Sequence, residues 1–328
     1  MSLASPELGS RRGDYGFDAP MVPAILAASG VDLLVIALLS ATVWGSGGWF
    51  LFPLLGGLFM LLSAAVYVLT TRSGKFVVWE ALLRGLDLRG DERVLDMGSG
   101  RGAVLLMAAK LLPTGRAVGI DLWKSVDQSG NTMDAARLNA EREGVGDRVD
   151  LRTGDMTRMP FEDGSFDVVL SALAIHNIKD PQDRRQAIDE AARVVRPGGR
   201  LVISDIQATL EYAERLRELG LADVRRRRLG WRYWYGGPWM ATTLVTATKP
   251  AKPVSPPRSR GSTRRSRGRG ALRSRRASKP RWASRCRPYP VIQRLSEIRP
   301  SSDPLPRPTA GYSPDCAGER RAWLAWWR

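Results

Sequence analysis

The chain has 328 residues and a formal charge of +17, room for about two domains, but that charge is concentrated at one end. From Ala251 to Arg328 there are 20 Lys or Arg against 4 Asp or Glu, so +16 of the +17 lies there and the first 250 residues carry +1; a body that is nearly neutral is no nucleic-acid binder by charge. Both cysteines, Cys286 and Cys316, fall in the same stretch, which excludes thiol nucleophiles, cysteine metal clusters and disulfides from residues 1–250.

A polar segment, residues 1–20, leads into two apolar runs, Met21 to Trp44 and Trp49 to Thr70, parted by Gly45-Ser46-Gly47-Gly48. Each is long enough to cross a bilayer as a helix, so a two-helix transmembrane hairpin is predicted over residues 21–71. Arg11 and Arg12 precede the first run, while Arg72, Lys75 and Arg84 follow the second. Positive-inside bias then puts both ends, and everything after residue 71, in the cytoplasm, with Trp44 and Trp49 at the opposite interface. A signal peptide fits poorly, because a second run follows at once. Asp32 falls near the middle of the first run, where a carboxylate costs about 3 kcal/mol on insertion scales. It reads either as an acid gripping a polar headgroup or as a protonated side chain bonded within the hairpin. The soluble alternative for the region is a helical hairpin buried against the next domain.

That domain is predicted over residues 72–250. Phe76, Trp79, Leu82, Leu83 and Leu86 recur at helical spacing, giving an amphipathic helix from Phe76 to Leu88 that either covers a ligand pocket or simply packs. Strands at Arg93–Asp96, Ala117–Asp121, Val149–Thr153, Phe166–Ser171 and Arg200–Asp205 alternate with helices ending near Leu112, Glu143 and Val195. Alternation of this kind makes a parallel sheet with helices on both faces. After a helix from Leu210 to Leu219, two strand-like runs, Asp223–Tyr235 and Trp239–Thr248, are joined through Gly236-Gly237-Pro238 and read as a closing antiparallel pair.

The motif with chemistry is Asp96-Met97-Gly98-Ser99-Gly100-Arg101-Gly102, followed 25 residues after Asp96 by Asp121 at the end of the next strand. Glycines there let the backbone turn into a helix beside a ligand, and the later acid suits ribose hydroxyls. Asp96 before the loop would repel a pyrophosphate and suits a cationic amino acid. Asp121 reads alternatively as a helix cap. Further along come Gly154-Asp155-Met156, Met159-Pro160-Phe161-Glu162-Asp163-Gly164-Ser165-Phe166-Asp167-Val168-Val169 and Arg193-Val194-Val195-Arg196-Pro197-Gly198-Gly199-Arg200-Leu201. In this order the motifs resemble those of class I S-adenosylmethionine-dependent methyltransferases, especially the group similar to quinone-biosynthesis C-methyltransferases. The resemblance implies a Rossmann-like α/β sheet and S-adenosyl-L-methionine as cofactor. It implies Asp96, Gly98, Ser99, Gly100, Gly102, Asp121, Leu122, Asp155, Met156 and Ser171 as cofactor-binding residues, with Asp121 at the ribose and Gly154-Asp155-Met156 at the adenine. No metal site is predicted. The missing thiols argue against thiol-dependent arsenic methylation, and no Asn-Pro-Pro-Tyr or Asp-Pro-Pro-Tyr follows the fourth strand, which removes support for amino-methylating branches.

At the end of that strand stands His176, the single histidine. Its ordinary pKa, about 6.5, suits proton removal near neutrality, with Asn177 as orienting partner; the bland alternative is a loop histidine bonded to backbone. Trp231-Arg232-Tyr233-Trp234-Tyr235-Gly236-Gly237-Pro238-Trp239 offers aromatics for an apolar acceptor wall or for plain core, and Asp127-Gln128-Ser129-Gly130-Asn131 a polar loop near the cofactor mouth. Residues 251–328, rich in Arg, Ser, Pro and Gly, read as a disordered basic tail. Its partner is nothing specific, anionic lipid or nucleic acid, with Trp323, Trp326 and Trp327 suited to touching a membrane. The expectation is a two-span membrane methyltransferase acting on a small, apolar or lipid-like acceptor. The rivals are a protein or RNA methyltransferase recruited by the tail and a noncatalytic S-adenosylmethionine-binding membrane protein. Oligomeric state is not legible.

Overall fold

The central strands of the sheet are apolar on both faces, as a sheet sandwiched between helices requires, while its two edge strands are more polar and more exposed. In the computed structural model, which describes residue 8 and residues 11–43 and 48–251, the strands are β1 (Arg93–Met97), β2 (Arg116–Asp121), β3 (Val149–Thr153), β4 (Phe166–Ala172), β5 (Val195–Asp205), β6 (Ala222–Arg228) and β7 (Thr243–Thr248). Their order is β3-β2-β1-β4-β5-β7-β6, with the first five parallel and β7 antiparallel to both neighbours. The direction of winding reverses between β1 and β4, and open α/β sheets bind ligands outside the carboxyl ends of their strands at such a switch. Helices α4 (Ala103–Lys110), α5 (Met133–Arg142), α6 (Pro181–Val194) and α7 (Thr209–Glu218) follow β1, β2, β4 and β5. Two apolar layers result, one on each face, with Leu105, Leu106 and Val168 in the first and Leu95, Ile188 and Leu216 in the second.

Ahead of the sheet lie α1 (Met21–Val43), α2 (Leu51–Leu69) and α3 (Lys75–Arg84). A π-helical turn, Thr70–Gly74, joins α2 to α3, so that Leu51–Arg84 is one helix of 34 residues. The first two helices cross where Gly30 meets Gly57: a Cβ on either would come within 3.1 Å of the other's carbonyl oxygen and within 2.8 Å of a leucine. Small residues at a crossing permit this backbone approach. By length and composition both helices can cross a membrane. Their outer faces are bare, with Leu38 65 % and Phe52 86 % exposed, which is not the pattern of a hairpin buried against the domain. Asp32 is exposed on α1 and makes no hydrogen bond to the hairpin among the described residues, leaving the hairpin-bonded reading without a partner. Trp44, Gly45, Ser46 and Gly47 and the basic tail from Lys252, with Cys286, Cys316 and Trp323, Trp326 and Trp327, lie outside the described residues.

The closing antiparallel pair is shorter than predicted. β6 ends at Arg228 and β7 begins at Thr243, and the aromatic segment between them forms short 3-10 turns at Trp231–Tyr233 and Pro238–Met240. Those side chains find partners off the sheet. Tyr233 is fully buried and its hydroxyl accepts from Trp79 Nε1 at 3.0 Å, while the Tyr67 and Tyr235 rings meet edge-on at 5.0 Å. Aromatic packing on the helices outweighs continuation of an edge ladder.

Candidate active site

The loop leaving β1 turns through three left-handed glycines, Gly98 (φ 73°), Gly100 (φ 51°) and Gly102 (φ 87°), a conformation that disfavours side chains. A Cβ on Gly98 would collide with Ala174, so the loop sits directly against the segment that carries His176. From the end of β2, Ile120 O accepts from Gly98 N at 2.8 Å and Asp121 Oδ2 accepts from Gly100 N at 2.8 Å. Asp121 Oδ1 accepts from Trp123 N at 2.6 Å and Asn131 Nδ2 at 3.3 Å. An acid so placed both holds the loop and keeps lone pairs for a ligand, since a carboxylate can accept about four hydrogen bonds.

Asp96 is 1 % exposed, and burial, reinforced by the charge of Asp121, pushes its carboxyl up to about 7. Its Oδ1 has no hydrogen-bond partner among the described residues, and neither have the buried Ser99 Oγ and Asn131 Oδ1. Buried polar atoms without partners are rare in folded proteins. Three around one glycine loop would make a cradle for a cationic, hydroxyl-bearing ligand such as S-adenosylmethionine, with Asp96 placed for its ammonium and the neighbouring Asp121 for its ribose hydroxyls. Met156 also reaches the loop, its Cε 3.2 Å from where a Gly98 Cβ would stand. Leu122 is 45 % exposed beyond Asp121. Asp155 is exposed and closes its own turn, accepting from Thr157 N and Oγ1 at 2.8 Å each. Ser171 lies at the strand end but its hydroxyl is spent on Met97 O at 2.9 Å, tying β4 to β1.

His176 sits in a 3-10 turn, Ile175–Asn177, just beyond β4. Its Nδ1 lies 2.6 Å from Asp205 Oδ1. Asp205 ends β5, is fully buried, and is held by the backbone N–H groups of Ile206 (2.7 Å) and His176 (3.1 Å) and by the Tyr212 hydroxyl at 3.4 Å. Burial opposes the imidazolium, but Asp205, with a smaller contribution from Asp127, outweighs it and raises the His176 pKa above 6.5. Asp127 is itself raised, by burial and by Asp121 against Lys124 and His176, which puts a carboxyl in the field of both ends of the pocket. Asn177 is exposed, and the ring's charged neighbour is Asp205, whose Oδ1 is close to Nδ1 without the angle of a formed hydrogen bond. The imidazole's partner is therefore Asp205. Sequence reasoning recorded Asp205 only as a strand end, although the rule that picked out Asp121, an acid at the carboxyl end of a parallel strand, applies equally to it.

The N-terminal segment was also missed. Glu143 Oε1 accepts from Arg12 N and Gly13 N at 2.8 Å and from Tyr15 OH at 2.9 Å, and Asn139 brackets Asp14 through its N–H (2.8 Å) and carbonyl (2.7 Å). Phe17 and Ser129 exchange hydrogen bonds of 2.7 and 2.9 Å. Gln128 Oε1 accepts from Arg101 N at 2.9 Å while its Nε2 donates to Tyr15 O at 3.1 Å, so this strap closes over the glycine loop. It ends at Asp18, which receives Lys75 Nζ on both oxygens at 2.8 Å and the Tyr235 hydroxyl at 2.9 Å. Nothing periodic marks such a strap in sequence.

Residues 95–203 match the family profile described as "Methyltransferase domain". The chain is 36 % identical over 124 residues to the ubiquinone/menaquinone biosynthesis C-methyltransferase UbiE of Roseobacter denitrificans, covering 38 % of this chain and 46 % of that one. It is 36 % identical over 141 residues to the 27-O-demethylrifamycin SV methyltransferase of Amycolatopsis mediterranei, covering 41 % and 48 %. The chain thus spans about half the length of the curated relatives it matches. A solved S-adenosylmethionine-dependent methyltransferase from Aquifex aeolicus superposes with a TM-score of 0.42 at 20 % identity, over 52 % of this chain and 88 % of that one. The matched segment, the sheet order around it and the partnerless cradle agree: residues 95–203 form a class I S-adenosylmethionine-dependent methyltransferase domain.

Proposed function

We propose that the chain is a membrane-anchored methyltransferase that uses His176, oriented by Asp205, to deprotonate a small, apolar or lipid-like acceptor as it receives a methyl group from S-adenosylmethionine. The observation that carries the reading is the His176–Asp205 pair, 2.6 Å apart, set against the glycine loop at the switch between β1 and β4. When bound, the cofactor supplies an electrophilic methyl group. Asp96 and Asp121 hold it, and the strap limits water in the cleft. Proximity and alignment supply much of the rate gain in such a displacement. Asp205 keeps the imidazole oriented so that Nε2 is the atom that takes the acceptor's proton, and the buried carboxylate stabilises the resulting imidazolium. A hydroxyl or an activated C–H acceptor needs such a base.

Two features support an acceptor at the bilayer: bare apolar faces on α1 and α2, and relatives named for quinone and rifamycin substrates. Methyl-labelled S-adenosylmethionine supplied to the full chain with membrane extract should put label into the organic-soluble fraction, and Asp96→Ala or Asp121→Ala should abolish both binding and transfer. Label confined to protein or RNA would overturn the acceptor class. Binding without transfer to any fraction would make the chain a noncatalytic binder.

A further inference from the structure

Between β6 and β7 the chain leaves the sheet and climbs the side of α2. At the foot, Arg232 lies so close to Gly74 that a Cβ there would collide with the Arg232 carbonyl. Higher up, Thr70 Oγ1 donates to Trp234 O at 2.6 Å. Above that, a Cβ on Gly236 would stand 3.7 Å from Ser63 O and 3.8 Å from Leu26, and at the top the Trp239 ring packs against Phe59, tilted by 38° with centroids 5.1 Å apart. Gly74 to Phe59 is a climb of about 22 Å at 1.5 Å per residue. The headgroup layer on one side of a bilayer is only about 5–8 Å deep. With Arg72 at headgroup level, the tip of this finger stands well inside the hydrocarbon.

The finger has the chemistry such a position demands. No charged side chain occurs from Tyr233 to Thr248. Non-helical backbone at that depth needs its polar groups satisfied within protein, and the two limbs of this one bond to each other, Tyr235 N donating to Met240 O (3.1 Å) and Thr242 N to Tyr233 O (3.1 Å), with Met240 N donating to Gly237 O (3.0 Å) across the tip. Pro238, at the tip, has no N–H to satisfy. Trp231, 59 % exposed, sits at the foot with the Arg232 guanidinium 4.6 Å over its ring, and Trp239 is 46 % exposed at the top. A cation and an indole at the base suit the interfacial layer.

We infer that Tyr233–Thr242 is a re-entrant finger, by which the catalytic domain itself dips into the phospholipid bilayer beside α2, with Trp231 and Arg232 among the headgroups and Trp239 among the acyl chains. The inference rests on the membrane-anchored reading above. Its test uses the full chain with Cys286→Ser and Cys316→Ser, reconstituted into phosphatidylcholine–phosphatidylglycerol vesicles, with a fluorophore attached at Trp239→Cys, Trp231→Cys or, on the outer face of α1, Leu38→Cys. Nitroxide quenchers on mid-chain acyl carbons should quench positions 38 and 239 severalfold more than aqueous iodide does, while headgroup nitroxides quench position 231 best. Pro238→Cys replaces the second site if Trp239→Cys does not fold, with the same result expected. Acyl quenching at 38 with iodide quenching at 239 would overturn the finger and leave the anchor standing. Iodide quenching at both would overturn both. Shielding of 239 from every quencher, with cross-linking between copies, would assign this face to a second chain and also overturn the inference.

Discussion

The sheet and the hairpin are both built of Leu, Val, Ile and Ala, yet they handle those side chains in opposite ways. Val94, Leu95 and Met97 of β1 are completely buried, whereas Leu38 of α1 and Phe52 of α2 are 65 % and 86 % exposed. In water the second arrangement forfeits about 25 cal/mol for each Å² of apolar surface left wet. In hydrocarbon it costs nothing. On the membrane-anchored reading proposed above, the contrast teaches that one chain is written for two solvents, which would meet at Thr70–Gly74, where a 34-residue helix passes from the hairpin into the domain.

The largest effect belongs to the chemistry at the sheet's carboxyl edge. His176→Ala should lower kcat by about 10²–10⁴-fold with little change in cofactor affinity, the range for loss of a general base. Asp205→Asn sharpens this. Because Asp205 raises the His176 pKa above 6.5, wild-type kcat/KM should rise with pH through that raised value, and the variant's rising limb should move to lower pH. The pair's contribution to stability has the opposite sign: it is present in full below pH 6.5 and fades as pH rises through the folded pKa. An unmoved limb would show that His176 is not the base.

Next in size is the core. Leu95→Ala should cost about 2–5 kcal/mol in denaturant unfolding, whereas Leu38→Ala should change stability by no more than about 0.5 kcal/mol; equal losses would erase the distinction between the two regions. Leu38→Arg separates them further. It should cost about 3 kcal/mol of membrane insertion, read as protein lost from the carbonate-washed membrane fraction, while cofactor binding by the remaining protein stays intact. The smallest effect tests the strain of the cradle. Since burial and Asp121 raise Asp96 from 3.8 to about 7, ionising it costs the fold stability that is lost progressively as pH rises between those two values and stays lost above the second. Asp96→Asn should therefore raise Tm without ligand, more at pH 8 than at pH 5, while weakening S-adenosylmethionine binding.

The strands and the glycine loop were legible because both are local: alternating elements declare a parallel sheet, and Gly98, Gly100 and Gly102 declare a turn whatever surrounds them. The aromatic segment misled because its residues favour strands by propensity, and only the tertiary partners Trp79, Tyr67 and Phe59 pull it off the ladder. His176 was legible by its place after β4. Its partner was not, since Asp205 is 29 residues further on and Asn177, adjacent in sequence, is exposed. The strap is entirely a product of long-range hydrogen bonds, so no window of sequence contains it.

That strap imposes an order on biogenesis. Residues 12–18 leave the ribosome before their partners, and Asp14 waits for Asn139, 125 residues later, and Asp18 for Tyr235, 217 residues later. At about 5–20 residues per second the second wait is roughly 10–40 s. Both apolar helices emerge within that interval. A segment made before the hairpin thus latches only after it, and the cleft is sealed on a chain whose hairpin has already been synthesised.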